Sequence, residues 1–106
     1  MTGNKLVLTT AGSREEAQSI ARALVERRLA ACVNIVPKIE SIYRWKEKVE
    51  QADEWMLLIK TTTAAFEHVR DTIKELHSSE LPECICIEIE DGNAEYLKWI
   101  SDSVSS

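Results

Sequence analysis

Two histidines are the first candidates for chemistry, because imidazole transfers protons near neutral pH and is a common ligand of copper and zinc. His68 lies between Phe66 and Val69 in a helix-like pattern, so we expect it to face solvent. His77 closes the same segment, where a helix dipole favours a cation. His77 is therefore the better candidate for a metal ligand, and a plain helix-terminal residue is the alternative.

Three cysteines are the other possible ligands of a soft metal: Cys32, Cys84 and Cys86. An odd count without a CxxC spacing is typical neither of a disulfide framework nor of a zinc knuckle or a copper chaperone. On a strand, Cys84 and Cys86 would have Cα atoms ~6.5 to 7 Å apart. We expect reduced thiols that pack as small hydrophobic residues.

Composition narrows the class of protein. The chain has 106 residues, with 13 Lys and Arg against 18 Asp and Glu and a formal net charge of −5. This length predicts a single domain over residues 1–106, and this charge disfavours nucleic acid as a partner. No apolar run is longer than that from Trp55 to Ile59, which is far shorter than the ~18 residues of a membrane span. We expect a cytoplasmic protein that binds no membrane and, lacking a phosphate loop or a Ser-His-Asp set, is not an enzyme.

The first half of the chain predicts a strand, a helix and a long hairpin. Leu6 to Thr10 favour a strand, and Ser13 with Glu16 forms a capping box before a helix from Arg14 to Leu29. From Cys32 to Trp45 the apolar residues fall on odd positions, which predicts a strand with one apolar face and Pro37 as a bend or bulge. The polar stretch from Lys46 to Glu54 predicts the turn, and Trp55 to Lys60 the returning strand.

The predicted hairpin is too long for the domain. A strand of about 14 residues spans ~46 Å, whereas a domain of this length has a radius of gyration of only ~13 Å. The strand must therefore bend or overhang. Tyr43 and Trp45 lie in the overhang, where exposed aromatic rings favour a contact between copies of the chain.

The second half predicts a helix from Phe66 to His77, a strand between Glu83 and Glu90, and a last helix capped by Asn93. The order βαββαβ plus a C-terminal helix predicts an α+β protein. Its fold is expected to be the ferredoxin-like split βαβ arrangement, with a long overhanging hairpin between the second and third strands and two helices on one face of an antiparallel sheet.

An ordered series of motifs over essentially the whole chain resembles the CutA divalent-cation tolerance family. The motifs are Leu29-Ala30-Ala31-Cys32-Val33-Asn34, Ser41-Ile42-Tyr43-Arg44-Trp45, Ile59-Lys60-Thr61, His77, Pro82-Glu83, Gly92-Asn93 and Tyr96-Leu97-Lys98-Trp99. The resemblance implies a cytoplasmic homotrimer, paired through the long hairpins, that is linked to tolerance of copper and other divalent ions. It also implies similarity to the trimeric PII signalling proteins, which bind nucleotides between subunits.

The chain departs from the family pattern at Thr9, Leu76, Ser78, Ser79 and Glu47. Thr9 stands where a bacterial member can carry a cysteine ligand, and Leu76 stands where a second histidine can precede His77. His77 is therefore the one protein ligand that the resemblance carries over for copper or another divalent cation.

Three functions stay open at this point. The first is a trimeric protein of metal tolerance that binds copper directly and weakly through His77. The second is a PII-like sensor whose small molecule or nucleotide lies in a cleft between subunits, near Tyr43, Trp45, Lys60 and Glu83. The third is a structural trimer that anchors partner proteins.

Overall fold

A computed structural model describes residues 2–105 as four strands and three helices in the order βαββαβα. Met1 and Ser106, which the predicted domain includes, lie outside the described residues. The α+β, ferredoxin-like prediction is confirmed. The elements are β1 (Asn4–Ala11), α1 (Arg14–Glu26), β2 (Cys32–Trp45), β3 (Lys48–Thr62), α2 (Phe66–Leu76), β4 (Ile85–Glu88) and α3 (Ala94–Ser103).

The strands form one sheet in the order β2-β3-β1-β4, and each neighbouring pair is antiparallel. Val7, near the middle of β1, pairs with Ile59 of β3 on one side and with Cys86 of β4 on the other. The pairing of β1 with β3 ends at Ala11 opposite Trp55. Beyond that point the hairpin of β2 and β3 continues without β1, so the predicted overhang is present.

Helices α1 and α2 bury their apolar faces against one face of the sheet. The cluster joins residues of both helices, of β1 and β3, and Ala30 of the α1–β2 loop: Val7, Ala11, Ala17, Ile20, Ala21, Leu24, Ala30, Leu57, Ile59, Val69 and Ile73. Helix α1 starts as predicted, since the Ser13 hydroxyl accepts a hydrogen bond from the Glu16 amide at 3.1 Å. It ends at Glu26 rather than at Leu29, because Arg28 has a positive φ of 59° that breaks the helix.

A bulge in β2 overturns the prediction of a single apolar face. Val36 pairs with Met56, but the next paired residue is Ile39, opposite Glu54, so residues 37–38 are left out of register. The bulge lies at the predicted Pro37, and Lys38 has a φ of 56°. Because two residues are skipped on β2 and one on β3, the odd-numbered residues change sides. Val33 and Ile35 face the helices, whereas Ile39, Tyr43 and Trp45 face the opposite way.

The turn of the hairpin is much tighter than predicted. It consists of Lys46 and Glu47 alone, with φ of 50° and 69°, and β3 already begins at Lys48. The prediction of a turn from Lys46 to Glu54 is wrong because polar residues were taken as a sign of a loop. In an overhanging two-stranded ribbon, both faces of a strand reach solvent, so charged residues are tolerated within it.

Helix α3 covers one end of the other sheet face. The buried Asn4 side chain donates to the Leu97 carbonyl at 3.1 Å and accepts from the Ser101 hydroxyl at 3.1 Å, which ties α3 to β1. Asn93 caps α3 as predicted, accepting from the Tyr96 amide at 3.0 Å. Elsewhere on this face large apolar side chains remain exposed: Val36, Ile85 and Ile87. Within residues 2–105, no helix is long and apolar enough to cross a bilayer.

Candidate functional site

A cleft of about 730 Å³ lies between the overhanging hairpin and the loop that joins α2 to β4. Residues 40–45 of β2 form one wall, and residues 77–83 form the other. The hairpin reaches this loop because it extends past the end of β1, where Thr10 also lines the cleft. The fold thus brings together two segments that are more than thirty residues apart in the chain.

The sequence predicted one metal ligand and four residues of a ligand cleft. Four of these five residues line the cleft: Tyr43, Trp45, His77 and Glu83. Lys60 does not. It lies opposite Cys32 near the other end of β3, and its ammonium group bonds to the side-chain oxygen of Asn34.

His77 follows the last residue of α2, and both of its ring nitrogens have partners. Nε2 lies 2.6 Å from the Thr10 carbonyl oxygen, and Nδ1 accepts a hydrogen bond from the Ser79 amide at 3.0 Å. This pattern assigns the proton to Nε2 and the lone pair to Nδ1. A metal ion at Nδ1 must displace the Ser79 amide. His68, the other histidine, is exposed on α2 as predicted.

Two further contacts fix the loop that carries His77. The Glu16 carboxylate accepts from the Ser78 amide at 2.7 Å and from the Gly12 amide at 3.2 Å. The Thr9 hydroxyl, fully buried, donates to the Glu83 carbonyl at 2.6 Å. The sequence pointed to Glu16 only as part of a capping box. Its second role joins residues 62 apart in the chain and has no local signal.

These contacts also set the acidity of Glu16. Burial alone raises the pKa of a carboxyl group, but hydrogen bonds from Ser78 and Gly12 and the neighbouring His77 outweigh it. The net result is a pKa for Glu16 below its usual value. The ionised form of Glu16 is therefore the one that holds the loop.

The cleft is acidic. Glu40, Glu54 and Glu83 line it, and Arg44 is the only Lys or Arg among its described lining residues. Burial raises the pKa of Glu83, and the nearby charge of Glu54 raises it further. Carboxylates that repel each other in this way favour a cation between them.

An ion pair spans the rim of the cleft. The Lys46 ammonium lies 3.7 Å from a carboxylate oxygen of Glu80, which joins the hairpin tip to the α2–β4 loop. The same ammonium lies 5.6 Å from the centre of the Trp45 ring. Both charged side chains are about 70% exposed, so this contact is weak.

The cysteines do not form a metal site in the part of the chain that the structure describes. Cys84 packs against the core, but Cys86 is exposed, so the packing prediction fails for Cys86. Burial is the main cause that raises the pKa of both thiols, which keeps them protonated. Among residues 2–105, no three His, Cys, Asp or Glu side chains converge on a point where a metal ion would sit.

Comparisons with known proteins agree with the fold and the motifs. A family model described as CutA1 divalent ion tolerance protein matches residues 5–103. The divalent-cation tolerance protein CutA of Thermus thermophilus is 50% identical over 99 residues, covering 93% of this chain and 96% of that protein. The solved structure of the Thermus protein has a TM-score of 0.94 at 48% identity, covering 96% of this chain and 99% of that one.

Two further relatives come from Archaeoglobus fulgidus and from human. A structure titled as the periplasmic divalent cation tolerance protein CutA from Archaeoglobus fulgidus has a TM-score of 0.93 at 43% identity, covering 96% of this chain and 99% of that one. Human protein CutA is 41% identical over 97 residues, covering 92% of this chain but only 54% of the human protein. This chain thus spans about half the length of the human relative. By sequence and by structure, the chain belongs to the CutA1 divalent ion tolerance family.

Proposed function

We propose that this protein contributes to the tolerance of divalent metal ions by drawing copper or another divalent ion into the acidic cleft. The observation that carries the proposal is that His77, Glu54 and Glu83 line one cleft, in which the charge of Glu54 adds to the raised pKa of Glu83. The ion is cargo rather than a resident cofactor, and the role requires no chemical reaction.

A single copy of the chain offers an incomplete metal site. No three potential ligands converge within the described residues, and the Nδ1 lone pair of His77 is taken by the Ser79 amide. We therefore propose weak binding, with His77 and carboxylates such as Glu80 and Glu83 as ligands. Copies related by symmetry supply the rest of the coordination sphere.

Calorimetric titration of Cu²⁺ tests the role of His77. We expect His77→Ala to weaken binding by about tenfold or more, as is usual when support for a metal ion is lost. His68→Ala is the matched control, because His68 is exposed on α2, and we expect it to bind as the wild type does. Equal affinity of wild type and His77→Ala removes His77 from the site.

Assembly into a trimer is the second part of the proposal. The overhang is a two-stranded ribbon, which is marginally stable alone in water. Its outer strand edge and its exposed Ile42, Tyr43 and Val49 side chains suit pairing with another copy. Closed symmetry is expected, because open edge-to-edge pairing would form fibres. The family resemblance selects three copies.

Light scattering at micromolar concentration tests the assembly. We expect Tyr43→Ala combined with Trp45→Ala to lower both the mass and the melting temperature. The control pair is Tyr96→Ala with Trp99→Ala, since these exposed rings lie together on α3, with centroids 5.5 Å apart and planes tilted by 33°, and neither lines the cleft. A wild-type mass of 12.0 kDa contradicts the trimer.

A PII-like sensor is the second candidate function. The volume of the cleft, about 730 Å³, is within the range of small-molecule sites, and Tyr43 and Trp45 can stack on a flat ligand. A nucleotide fits the cleft less well than an uncharged flat ligand does, because Arg44 is the only Lys or Arg among the described lining residues and Lys60 lies elsewhere. A thermal-shift screen of nucleotides and small anions decides this, and the absence of any rise in melting temperature counts against it.

A structural trimer that anchors partner proteins is the remaining alternative, and wild-type protein that binds neither metal nor small molecule favours it. We place the protein's action in the cytoplasm. Fractionation of cells that express the full chain tests this location, since recovery outside the cytoplasmic fraction contradicts it.

A further inference from the structure

The lining of the cleft combines two kinds of surface that a bare metal ion does not need. Tyr43 and Trp45 supply aromatic area, and Leu81 and Pro82 supply apolar area on the facing wall. The carboxylates stand among these groups and do not converge, since no metal-ligand group of three forms within residues 2–105. A point charge requires convergent ligands. Separated charges with apolar surface between them suit an extended cation.

The protein already holds an organic ammonium group in this manner at the rim. The Lys46 ammonium lies between the Trp45 ring, at 5.6 Å, and the Glu80 carboxylate, at 3.7 Å. An aromatic face and a carboxylate are the two groups that attract an alkylammonium ion most strongly in proteins. Because the Lys46 and Glu80 side chains are 74% and 70% exposed, an incoming amine can replace this contact at little cost.

Charge within the cleft favours a further ammonium group. Glu54 and Glu83 both line the cleft, and the charge of Glu54 adds to the effect of burial in raising the pKa of Glu83. A positive group between them relieves this repulsion. Glu40 is a third carboxylate of the cleft lining, and Arg44 is the one opposing Lys or Arg among the described lining residues.

We propose that the cleft binds a linear di- or polyamine, with one ammonium group between Glu54 and Glu83 and the methylene chain along Tyr43 and Trp45. The proposal shares the cleft and Glu83 with the proposed metal binding, but it does not require His77. Such a ligand has both the spaced charges and the apolar stem that the lining residues match.

Calorimetric titration with spermidine tests the proposal on the full chain. We expect Glu83→Gln to weaken binding by about tenfold or more, because one charge-assisted hydrogen bond is lost. Tyr43→Phe keeps the ring, so its affinity should stay near that of the wild type, whereas Tyr43→Ala should bind more weakly. Thermal melts and light scattering of each variant confirm that it is folded and has the wild-type mass, because Tyr43 also belongs to the surface proposed for assembly.

The matched control is Glu95→Gln, because Glu95 is exposed on α3 and is not among the residues that line the cleft. Its affinity for spermidine should equal that of the wild type. An equal loss in Glu95→Gln and Glu83→Gln overturns the proposal, since it would mark non-specific attraction to a chain of net charge −5. Mg²⁺ that competes as well as spermidine at equal charge concentration overturns it too. Copper binding lost only in His77→Ala concerns the metal proposal alone.

Discussion

Replacing Glu47 by glycine should stabilise the protein, although it removes a side chain. The chain reverses at Lys46 and Glu47, and both residues have positive φ, 50° and 69°. A two-residue turn of this kind matches the twist of a hairpin and is usually built with asparagine and glycine. Glu47 makes no hydrogen bond or ion pair within residues 2–105, so its side chain contributes nothing that glycine would lose. Lys46 is left in place because it contacts Trp45 and Glu80.

The expected gain follows from two opposing terms. A left-handed conformation costs a residue with a Cβ atom roughly 1 to 2 kcal/mol, and glycine avoids this cost. Glycine in turn loses about 0.5 to 1 kcal/mol more backbone entropy on folding. At the middle of both ranges, the difference is a net stabilisation of about 0.75 kcal/mol. For a domain of this size, that corresponds to a rise in melting temperature of about 2 to 4 °C.

Thermal or urea denaturation at one fixed protein concentration measures this gain, because association of copies also changes the midpoint. Lys48→Gly is the matched control, since Lys48 is the next residue and pairs with Trp45 in β3. There glycine has only its entropic cost and should lower stability by about 0.5 to 1 kcal/mol. If Glu47→Gly lowers the midpoint as much as Lys48→Gly does, the strain argued for the turn is not present.

Three further substitutions test the contacts that position the cleft and α3. Because the pKa of Glu16 is lowered on folding, its stabilising contribution is present above the unfolded pKa and is lost as pH falls through the folded pKa. Glu16→Gln should therefore destabilise the protein at pH 7 but not at pH 2 in parallel denaturation curves, and an equal loss at both would contradict the role of its charge. Thr9→Val leaves the Glu83 carbonyl without its donor and should cost about 1 kcal/mol in urea unfolding, with Thr63→Val as an exposed control. Asn4→Ala should cost about 1 to 3 kcal/mol and speed amide exchange in α3, and unchanged exchange would argue against its anchoring role.

The elements that the sequence predicted well are those with a local signal. Ser13 and Asn93 each cap a helix, because a short polar side chain before an apolar repeat has one favourable use. Cys32–Trp45 was predicted with the bounds that β2 has, since alternation over many residues is characteristic of a strand. The end of α1 was missed because Arg28 has a positive φ without being glycine or asparagine.

The change of sides of the odd-numbered residues along β2 was not predicted, for a different reason. Alternation identifies a strand, but it does not show where two residues are skipped on one strand. Val33 and Tyr43 have the same parity, yet Val33 packs against the core and Tyr43 lines the cleft. Pro37 indicated where the bulge lies. Which side of the sheet the residues after Pro37 take also depends on how many residues β3 skips at the bulge. The contacts of Glu16 and Thr9 at the cleft were likewise not predictable from local sequence, since each joins two segments that are far apart in the chain.

The bulge links the fold to both proposed functions. Without it, Tyr43 and Trp45, which line the cleft, would face the same side of the sheet as Val33. The same wall belongs to a ribbon that has no β1 partner beyond Trp55, so its position depends on what pairs with it. If another copy of the chain orders the hairpin, a cation that binds the ordered cleft must also favour assembly, because ligand and partner select the same conformation. Spermidine or copper should then shift the protein towards the larger species in dilute solution. A ligand that binds with no effect on the mass at any protein concentration would show that the cleft is complete in a single copy.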